Sequence, residues 1–430
     1  MRPSFVFILA DDLGHADLGC YGGRSPSCSP ALDRMAAQGL RFTNAYANSP
    51  VCSPTRFALM TGRYQYRLRG AAEEPISGKT RGSAELGLSP SHPTLPSLLR
   101  AAGYATALVG KWHLGFPPHF SPLRSGYEEF FGVYHGAADY FTHCDPQGLH
   151  DLFEGEQEVH RTGYLTDLLS ERAVSFVERK KGKPFLLSLH YTAPHWPWET
   201  RDDEAEARRI GGIRNGLYHL DGGSVQTYRK MISHMDEGIG AVLDALRRTG
   251  ADENTLVVFT SDNGGERFSD NWPLVGGKMD LLEGGIRVPL MARWPARIAA
   301  GKVTDRLAIT MDWTSTFLAA AGVPAHAQYP LDGEDLLREE TSERQLFWRM
   351  KYRSQKAVRT GRYKYLSLEG NEFLFDVVTD ARERANLARR EPERLASLRE
   401  RYRAWEATMP PIPADAAVSL VYNPKTMALP

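Results

Sequence analysis

Apolar runs alternate with amphipathic stretches along most of this chain, a pattern that favours a mainly parallel β-sheet covered by helices. Four of these runs end in polar clusters, and they occupy residues 5–10, 105–109, 185–189 and 255–260. In open α/β sheets, ligands bind beyond the carboxyl ends of the strands. We therefore expect the polar clusters after these four strands to meet at one edge of the sheet.

Helix signals separate the predicted strands, and near residue 340 the pattern changes to short apolar runs separated by turn residues. Ser29 is predicted to cap a helix starting at Pro30, and residues 94–102 and 228–248 predict two more helices. Short runs at 345–349, 356–360, 363–368 and 373–376 predict a small antiparallel sheet, followed by a helix at 391–408 and an extended tail at 410–430. The prediction is an α/β domain over residues 1–340 and a small α+β domain over residues 341–430.

Composition narrows the class of protein. The 430 residues carry 52 Lys+Arg and 52 Asp+Glu, so net charge provides no attraction to nucleic acid. No apolar run approaches the ~20 residues that span a bilayer, so no membrane partner is expected. The N-terminal apolar run passes directly into two aspartates and does not resemble a signal peptide. As written the chain is expected to be cytoplasmic, or periplasmic or secreted if a leader has been removed.

The cysteines at positions 20, 28, 52 and 144 lack the spacing of a metal site. Reduced thiols are expected in a cytosolic chain, and a disulfide between Cys20 and Cys28 is the alternative.

Two acidic pairs follow buried-type strands. Asp11 and Asp12 come directly after the first strand, and Asp262 and Asn263 follow the last one by one residue. Either pair alone would usually be a helix cap or a turn former. Together they offer four hard oxygen ligands and neither sulfur nor imidazole, which suits Ca²⁺ or Mg²⁺ better than zinc.

Cys52, Pro54 and Arg56 open a predicted helix. Helix N-termini favour negative charge, so the backbone amides here and Arg56 are expected to surround an anion. The alternatives are a buried structural cysteine or a thiol nucleophile, and neither explains the spacing of the proline and the arginine.

Further charged and aromatic residues follow the other strands. Lys111 and His113 are expected to lie on one side of an extended segment, where a lysine can hold an anion and a histidine can move protons. His195 stands in a proline-rich aromatic loop as a candidate general acid. Trp196 and Trp198 either line a sugar or aryl subsite or pack the loop down.

One more cation, Lys278, lies on a glycine-rich turn predicted to be flexible. Among the remaining histidines, His135 is the best candidate for an additional substrate contact.

Six motifs in this order resemble the sulfatase (arylsulfatase) family of the alkaline phosphatase superfamily. They are Asp-Asp-x-Gly, Cys-x-Pro-x-Arg with Thr-Gly-Arg, Gly-Lys-Trp-His-Leu-Gly, Pro-His-x-Pro, Ser-Asp-Asn-Gly, and Gly-Lys with Glu-Gly-Gly-x-Arg-Val-Pro. The resemblance extends from residue 5 to about residue 405. It implies an alkaline-phosphatase-like fold, with a large, mostly parallel mixed sheet sandwiched by helices and a small C-terminal α+β domain containing an antiparallel sheet.

The resemblance also implies a metal site and a modified residue. A formylglycine-generating enzyme would oxidise Cys52 to formylglycine (3-oxoalanine). The ligands of one Ca²⁺, with Mg²⁺ less favoured, would be this residue and the oxygen-bearing side chains named above: Asp11, Asp12, Asp262 and Asn263.

By the same resemblance, Arg56 would orient the aldehyde hydrate while Lys111 and Lys278 hold the sulfate oxygens. His195 or Lys278 would protonate the leaving alcohol. His113 would deprotonate the second hydroxyl of the hydrate and so expel sulfate.

The implied activity is hydrolysis of a sulfate monoester, either an aryl sulfate or a carbohydrate sulfate. One alternative is a phosphodiesterase or phosphonate monoester hydrolase built on the same residues. Another is a catalytically silent binding protein in which Cys52 stays unmodified. The sequence leaves the substrate and the oligomeric state open.

Overall fold

The computed structural model describes residues 2–23, 28–339 and 343–420, and a ten-stranded mixed sheet forms its centre. In the order of the sheet its strands are β11 (Lys302–Thr304), β2 (Leu40–Phe42), β10 (Leu290–Arg293), β9 (Thr255–Ser261), β1 (Ser4–Ala10), β8 (Phe185–His190), β4 (Ala105–Lys111), β5 (Glu129–Val133), β6 (Phe153–Glu154) and β7 (Gln157–Glu158). The five strands from β9 to β5 run parallel, and all four apolar runs predicted as strands belong to them. A two-stranded sheet, β3 (Ala45–Tyr46) with β12 (Ala308–Ile309), stands beside the large one.

Helices cover both faces of the central sheet. They are α1 (Pro30–Ala37), α2 (Cys52–Thr61), α3 (Leu95–Ala101), α4 (Leu165–Arg179), α5 (Glu204–Ile210), α6 (Val225–Thr249), α7 (Glu283–Ile286) and α8 (Asp312–Ala321). The alternation of side chains along β1 explains the two layers. Val6 and Ile8 join the core beneath α4 and α6, whereas Phe5 and Phe7 join the core beneath α3 and α8. Among the described residues, no helix combines the length and the apolar character needed to cross a bilayer.

The start of α1 differs from the prediction in its chemistry. Ser29 occupies the N-cap position, but its hydroxyl accepts from the backbone of Gly19 and contacts Asp33 instead of capping the helix. The free amides of Ala31 and Leu32 are bound by the buried carboxylate of Asp236 on α6, each at 2.8 Å. A carboxylate from a distant helix therefore does the capping, and it ties α1 to α6.

The C-terminal part forms a four-stranded antiparallel sheet, as predicted. Its strands are β13 (Gln345–Arg349), β14 (Lys356–Thr360), β15 (Tyr363–Leu368) and β16 (Asn371–Asp376), and α9 (Pro392–Glu406) follows them. The fold class predicted from the sequence is thus confirmed. The predicted domain boundary between residues 340 and 341 and the tail residues 421–430 lie outside the described residues.

The C-terminal sheet shares a hydrophobic cluster with the large domain. Val51 and Met279 of the large domain pack in the same cluster as Leu346 and Trp348 of β13. Residues 414–420 then return to the large domain, where Glu74 pairs with Val418 in a parallel bridge. The small sheet therefore packs directly against segments that reach the candidate site.

Candidate functional site

The carboxyl ends of β1 and β9 bring the two acidic pairs together. The strands pair in parallel with Ala10 opposite Ser261, and the amide of Asp262 donates to the carbonyl of Ala10 at 3.1 Å. Asp11 and Asp12 therefore lie beside Asp262 and Asn263, although about 250 residues separate the pairs along the chain. Parallel pairing with matched strand ends is what makes the four side chains neighbours.

These four side chains form a buried set of oxygens. Each residue is at most 1% exposed. The Asp11 Oδ1 and Asn263 Oδ1 atoms are buried without a hydrogen-bond partner, a costly state for polar atoms unless a cation binds there. Asp12 has a φ of 61°, a backbone conformation that non-glycine residues rarely adopt and that is often found at functional sites. Two orphaned oxygens within an all-oxygen set fit a hard divalent cation such as Ca²⁺.

Each of the three carboxylates in this set is paired with one cationic side chain. Lys111 Nζ lies 2.5 Å from Asp11 Oδ2, and Lys278 Nζ lies 2.7 Å from Asp12 Oδ2. Arg56 donates from Nε and Nη2 to Asp262 Oδ2 at 3.0 and 2.8 Å.

All six groups are buried, and electrostatic interactions in a protein interior are stronger than in water. Burial by itself would raise the pKa of Asp262, but Arg56, Lys111 and Lys278 together lower it. Asp262 is therefore ionised in the folded protein.

Cys52 is the first residue of α2 and faces this charged cluster. Its sulfur lies within 4.8 Å of carboxylate oxygens of Asp11 and Asp12 and of a ring nitrogen of His195. Arg56 follows one helical turn later and so points the same way. Burial raises the pKa of the Cys52 thiol well above its ordinary value, although Lys111 and Lys278 act in the opposite direction. An unmodified thiol at this position stays protonated and is a poor nucleophile.

His113 presents one nitrogen to the site. Its Nε2 lies 2.8 Å from the carbonyl oxygen of Ile76, so Nε2 carries the proton and donates. Burial, with Lys111 and His135 adding to it, holds the pKa of His113 well below its usual range, so the ring is neutral. Its Nδ1 is therefore a buried acceptor without a partner, available as a proton acceptor. A Cβ at Gly136 would lie 2.3 Å from the ring, which explains glycine at that position.

His195 has the opposite tautomer. Its Nδ1 donates to the carbonyl of Trp196 at 2.7 Å, and its Nε2 lies 3.5 Å from Asp12 Oδ2. Burial and the neighbouring Lys278 hold the pKa of His195 well below its usual range. The ring of Trp196 lies against His195 with centroids 4.2 Å apart, and this tryptophan is partly exposed. Trp198 is only 4% exposed and packs edge-on against Phe268, so it belongs to the core and not to a subsite.

His135, considered as an additional contact, lies beside His113 with ring centroids 6.3 Å apart. Its Nδ1 accepts from the amide of Ala137, so Nε2 carries the proton in the neutral ring. That nitrogen is buried without a partner. Burial, reinforced by Arg81 and Lys111, lowers the pKa of His135 to about 3. His135 is thus a neutral donor next to the candidate site.

The turn that carries Lys278 differs from the predicted flexible one. Its side chain is 1% exposed, its amide donates to the carbonyl of Gly265, and the amide of Met279 donates to the carbonyl of Pro50. The side chain of Gln355, directly before β14 of the C-terminal domain, binds the backbone of Met279 and Leu281. Sequence reasoning missed Gln355 and the carbonyl of Ile76, because neither belongs to a motif with a recognisable spacing.

Comparisons with known proteins agree with this geometry. The family profile described as Sulfatase matches residues 3–323, and the profile described as N-sulphoglucosamine sulphohydrolase, C-terminal, matches residues 277–401. The chain is 34% identical to N-acetylgalactosamine-6-sulfatase of Mus musculus, over 84% of this chain and 71% of that protein. It is 35% identical to human arylsulfatase A, over 84% of this chain and 74% of that protein.

Comparison with solved structures also finds sulfatases of the same fold. The crystal structure of Ps i-CgsB in complex with k-i-k-neocarrahexaose superposes with a TM-score of 0.83 at 31% identity, over 94% of this chain and 93% of that one. The PsFucS1 sulfatase from Pseudoalteromonas sp. has a TM-score of 0.77 at 26% identity, over 95% and 90% of the two chains. The chain therefore belongs to the sulfatase family and is a sulfuric ester hydrolase.

Proposed function

We propose that this chain hydrolyses a carbohydrate sulfate monoester, with Cys52 converted to formylglycine and a Ca²⁺ ion held by Asp11, Asp12, Asp262 and Asn263. The observation that carries the proposal is the position of the Cys52 sulfur, within 4.8 Å of two carboxylates and a histidine in a buried, charge-rich site. The high pKa of its thiol supports the modification, because an unmodified side chain here would be a weak nucleophile.

The choice of cation follows from the ligands. Carboxylate and amide oxygens suit Ca²⁺ and Mg²⁺, and Ca²⁺ tolerates the irregular geometry of side chains drawn from two strand ends. When bound, the ion would supply positive charge for the sulfate oxygens. The aldehyde hydrate would supply the attacking hydroxyl and the second hydroxyl needed to expel sulfate. Each of the three carboxylates is paired with Arg56, Lys111 or Lys278, so the added divalent charge would favour an anionic substrate.

The side chains of the site divide the remaining work. Lys111, paired with Asp11, and Lys278, paired with Asp12, bind sulfate oxygens, and Arg56 keeps Asp262 ionised and in place. His113 accepts a proton at its unpartnered Nδ1 while Ile76 holds the ring. Lys278 is favoured over His195 as the proton donor to the leaving alcohol, because burial and nearby lysines keep His195 neutral.

A carbohydrate is favoured over an aryl leaving group for two reasons. The relatives include proteins named N-acetylgalactosamine-6-sulfatase, and a similar solved structure contains a neocarrahexaose. The partly exposed Trp196, packed on His195, offers an aromatic face against which a sugar ring can stack.

Two measurements test the proposal. The first is the mass of the peptide across Cys52, from protein made together with a formylglycine-generating enzyme. Exchange of the thiol for an aldehyde lowers that mass by about 18 Da.

The second is sulfate release from monosaccharide sulfates, with Cys52→Ala as the matched control and a phosphodiester as the competing substrate class. Modification with sulfate release supports the proposal. An unmodified Cys52, or faster turnover of the phosphodiester, would contradict it.

A further inference from the structure

We infer that Gln355, in the C-terminal domain, is a positioning residue for Lys278. The inference rests on the role proposed above for Lys278 and adds a residue outside the catalytic motifs. Gln355 is the last residue of the connection from β13 to β14 and is 2% exposed. Its side chain reaches the turn of the large domain that carries Lys278.

The amide group of Gln355 binds two backbone groups of that turn. Its Nε2 donates to the carbonyl of Met279 at 2.8 Å, and its Oε1 accepts from the amide of Leu281 at 2.8 Å. Tyr352 also lies within reach, its carbonyl 3.3 Å from Nε2. The side chain thus pairs with the turn much as a neighbouring strand would, across 74 and 76 residues of sequence.

Met279, the residue that follows Lys278, is hydrogen-bonded at both its amide and its carbonyl. Met279 has a φ of 75°, in the left-handed region that residues with a Cβ avoid unless they are constrained. Two bonds constrain it, because its amide donates to Pro50 and its carbonyl accepts from Gln355. Pro50 lies two residues before Cys52, so Met279 joins the turn of Lys278 to the segment that opens α2.

Constraint of Met279 sets the direction in which Lys278 leaves the backbone. The backbone amide of Lys278 donates to the carbonyl of Gly265, and its Nζ lies 2.7 Å from Asp12 Oδ2. Without Gln355, the carbonyl of Met279 and the amide of Leu281 would be buried and unpaired, and the backbone would rearrange to satisfy them. That rearrangement would move the ammonium group of Lys278 away from the leaving-group oxygen that it is proposed to protonate.

The test compares esters whose leaving groups differ in their need for a proton. A nitrophenolate leaves readily without protonation, whereas a sugar alkoxide does not. Fully modified enzyme with bound Ca²⁺ is assayed with 4-nitrophenyl sulfate and with a monosaccharide sulfate. The variants are Gln355→Leu, Lys278→Ala and the double variant. Tyr66→Phe serves as a control, because it removes a different, partly buried hydrogen bond between the two domains, from the amide of Arg349 to the hydroxyl of Tyr66.

The expected result for Gln355→Leu is a fall in kcat for the sugar sulfate of roughly ten- to hundredfold, with a much smaller fall for the aryl sulfate. Lys278→Ala should also lower turnover of the sugar sulfate more than that of the aryl sulfate, with a further loss on both esters because it removes a contact to the sulfate group. The double variant should match Lys278→Ala within about twofold, since one residue acts through the other. Tyr66→Phe should keep the wild-type ratio between the two substrates.

Three results would overturn the inference about Gln355 alone. One is an equal loss on both esters in Gln355→Leu, and another is a double variant whose losses multiply. The third is an unimpaired Gln355→Leu beside an impaired Lys278→Ala, which would leave the proposed function standing. Wild-type turnover by Lys278→Ala would instead refute the proposed role of Lys278, and the role of Gln355 with it. If Gln355→Leu does not fold, Gln355→Glu replaces it, because it keeps the acceptor for Leu281 and loses the donor to Met279.

Discussion

Arg56 and Asp262 should be energetically coupled, and a double-mutant cycle can measure the coupling. Arg56 donates twice to one carboxylate oxygen of Asp262, at 2.8 and 3.0 Å, and both side chains are at most 1% exposed. Asp262→Ala would leave the guanidinium with the carbonyl of Lys111 at 3.1 Å and with Asp11 Oδ1 only at 3.9 Å. A buried cation without its main partner is the costly outcome.

The size of the effect follows from this geometry. Removing one partner of a buried pair costs about 3 to 5 kcal/mol. We expect about 3 kcal/mol for Asp262→Ala, since Asp11 still offsets part of the charge of Arg56. Arg56→Met should cost a similar amount, because it leaves the carboxylates of Asp262 and Asp11 without this neighbouring cation. The double variant removes both members of the pair, so it should cost about 2 kcal/mol less than the sum of the single variants.

The assay is equilibrium unfolding in urea, with the free energy of unfolding extrapolated to water for the four proteins. A chelator is present throughout, so that any cation bound by Asp262 does not enter the comparison. Costs that add within about 0.5 kcal/mol would refute the reasoning, because independent sites behave in that way. A double variant that is less stable than the sum would refute it as well.

The remaining predictions concern the cation, the histidine, a distant carboxyl group and the two tryptophans. At 100 times its Kd, Ca²⁺ should stabilise the protein by about 2.7 kcal/mol in thermal unfolding, and Asp262→Asn should abolish that response; an unchanged response would contradict the ligand set. His113→Ala should accumulate enzyme heavier by one SO₃ group in an intact-mass measurement, because Nδ1 is the proposed proton acceptor; normal sulfate release would exclude that role. Burial raises the pKa of Asp236 to about 6, above the value of about 4 in unfolded chains, so the folded state binds this proton more tightly. The stability of the protein should therefore fall as the pH rises from about 4 to about 6. Asp236→Asn should flatten that part of the profile of urea unfolding, and an identical slope would contradict the assignment. Trp196→Ala should raise KM for a monosaccharide sulfate with little change in Tm, whereas Trp198→Ala should cost about 3 to 5 kcal/mol of stability; the reverse pattern would contradict the different burial of the two rings.

The strands and the small C-terminal sheet could be predicted because their signals are local. The buried strands are continuous apolar runs, and the four strand predictions at 345–376 agree with the observed strands to within two residues. A parallel sheet also places its strand ends at one edge, so the neighbourhood of Asp11 and Asp262 followed from topology without any contact being known. The helix starting at Pro30 was predicted for the same kind of reason, although its cap was not.

Other features depend on contacts between segments far apart in sequence. Ser29 has the sequence pattern of an N-cap, yet Asp236 binds the free amides, because packing of α6 brings a carboxylate to the start of α1. Trp196 and Trp198 stand in the same loop, yet Trp198 is buried against Phe268 and His219 from distant segments while Trp196 is partly exposed.

By itself, the sequence determined the fold class, the residues at the strand ends and the family to which the chain belongs, since apolar periodicity and motif spacing are properties of short segments. Only the tertiary structure decided how those residues are held. The carbonyl of Ile76 selects the tautomer of His113, and the amide of Gln355 secures the turn of Lys278. A backbone carbonyl looks the same at every position of a sequence, and a glutamine has no spacing that reveals its partner. Their roles come from the packing that brings distant segments within hydrogen-bond distance.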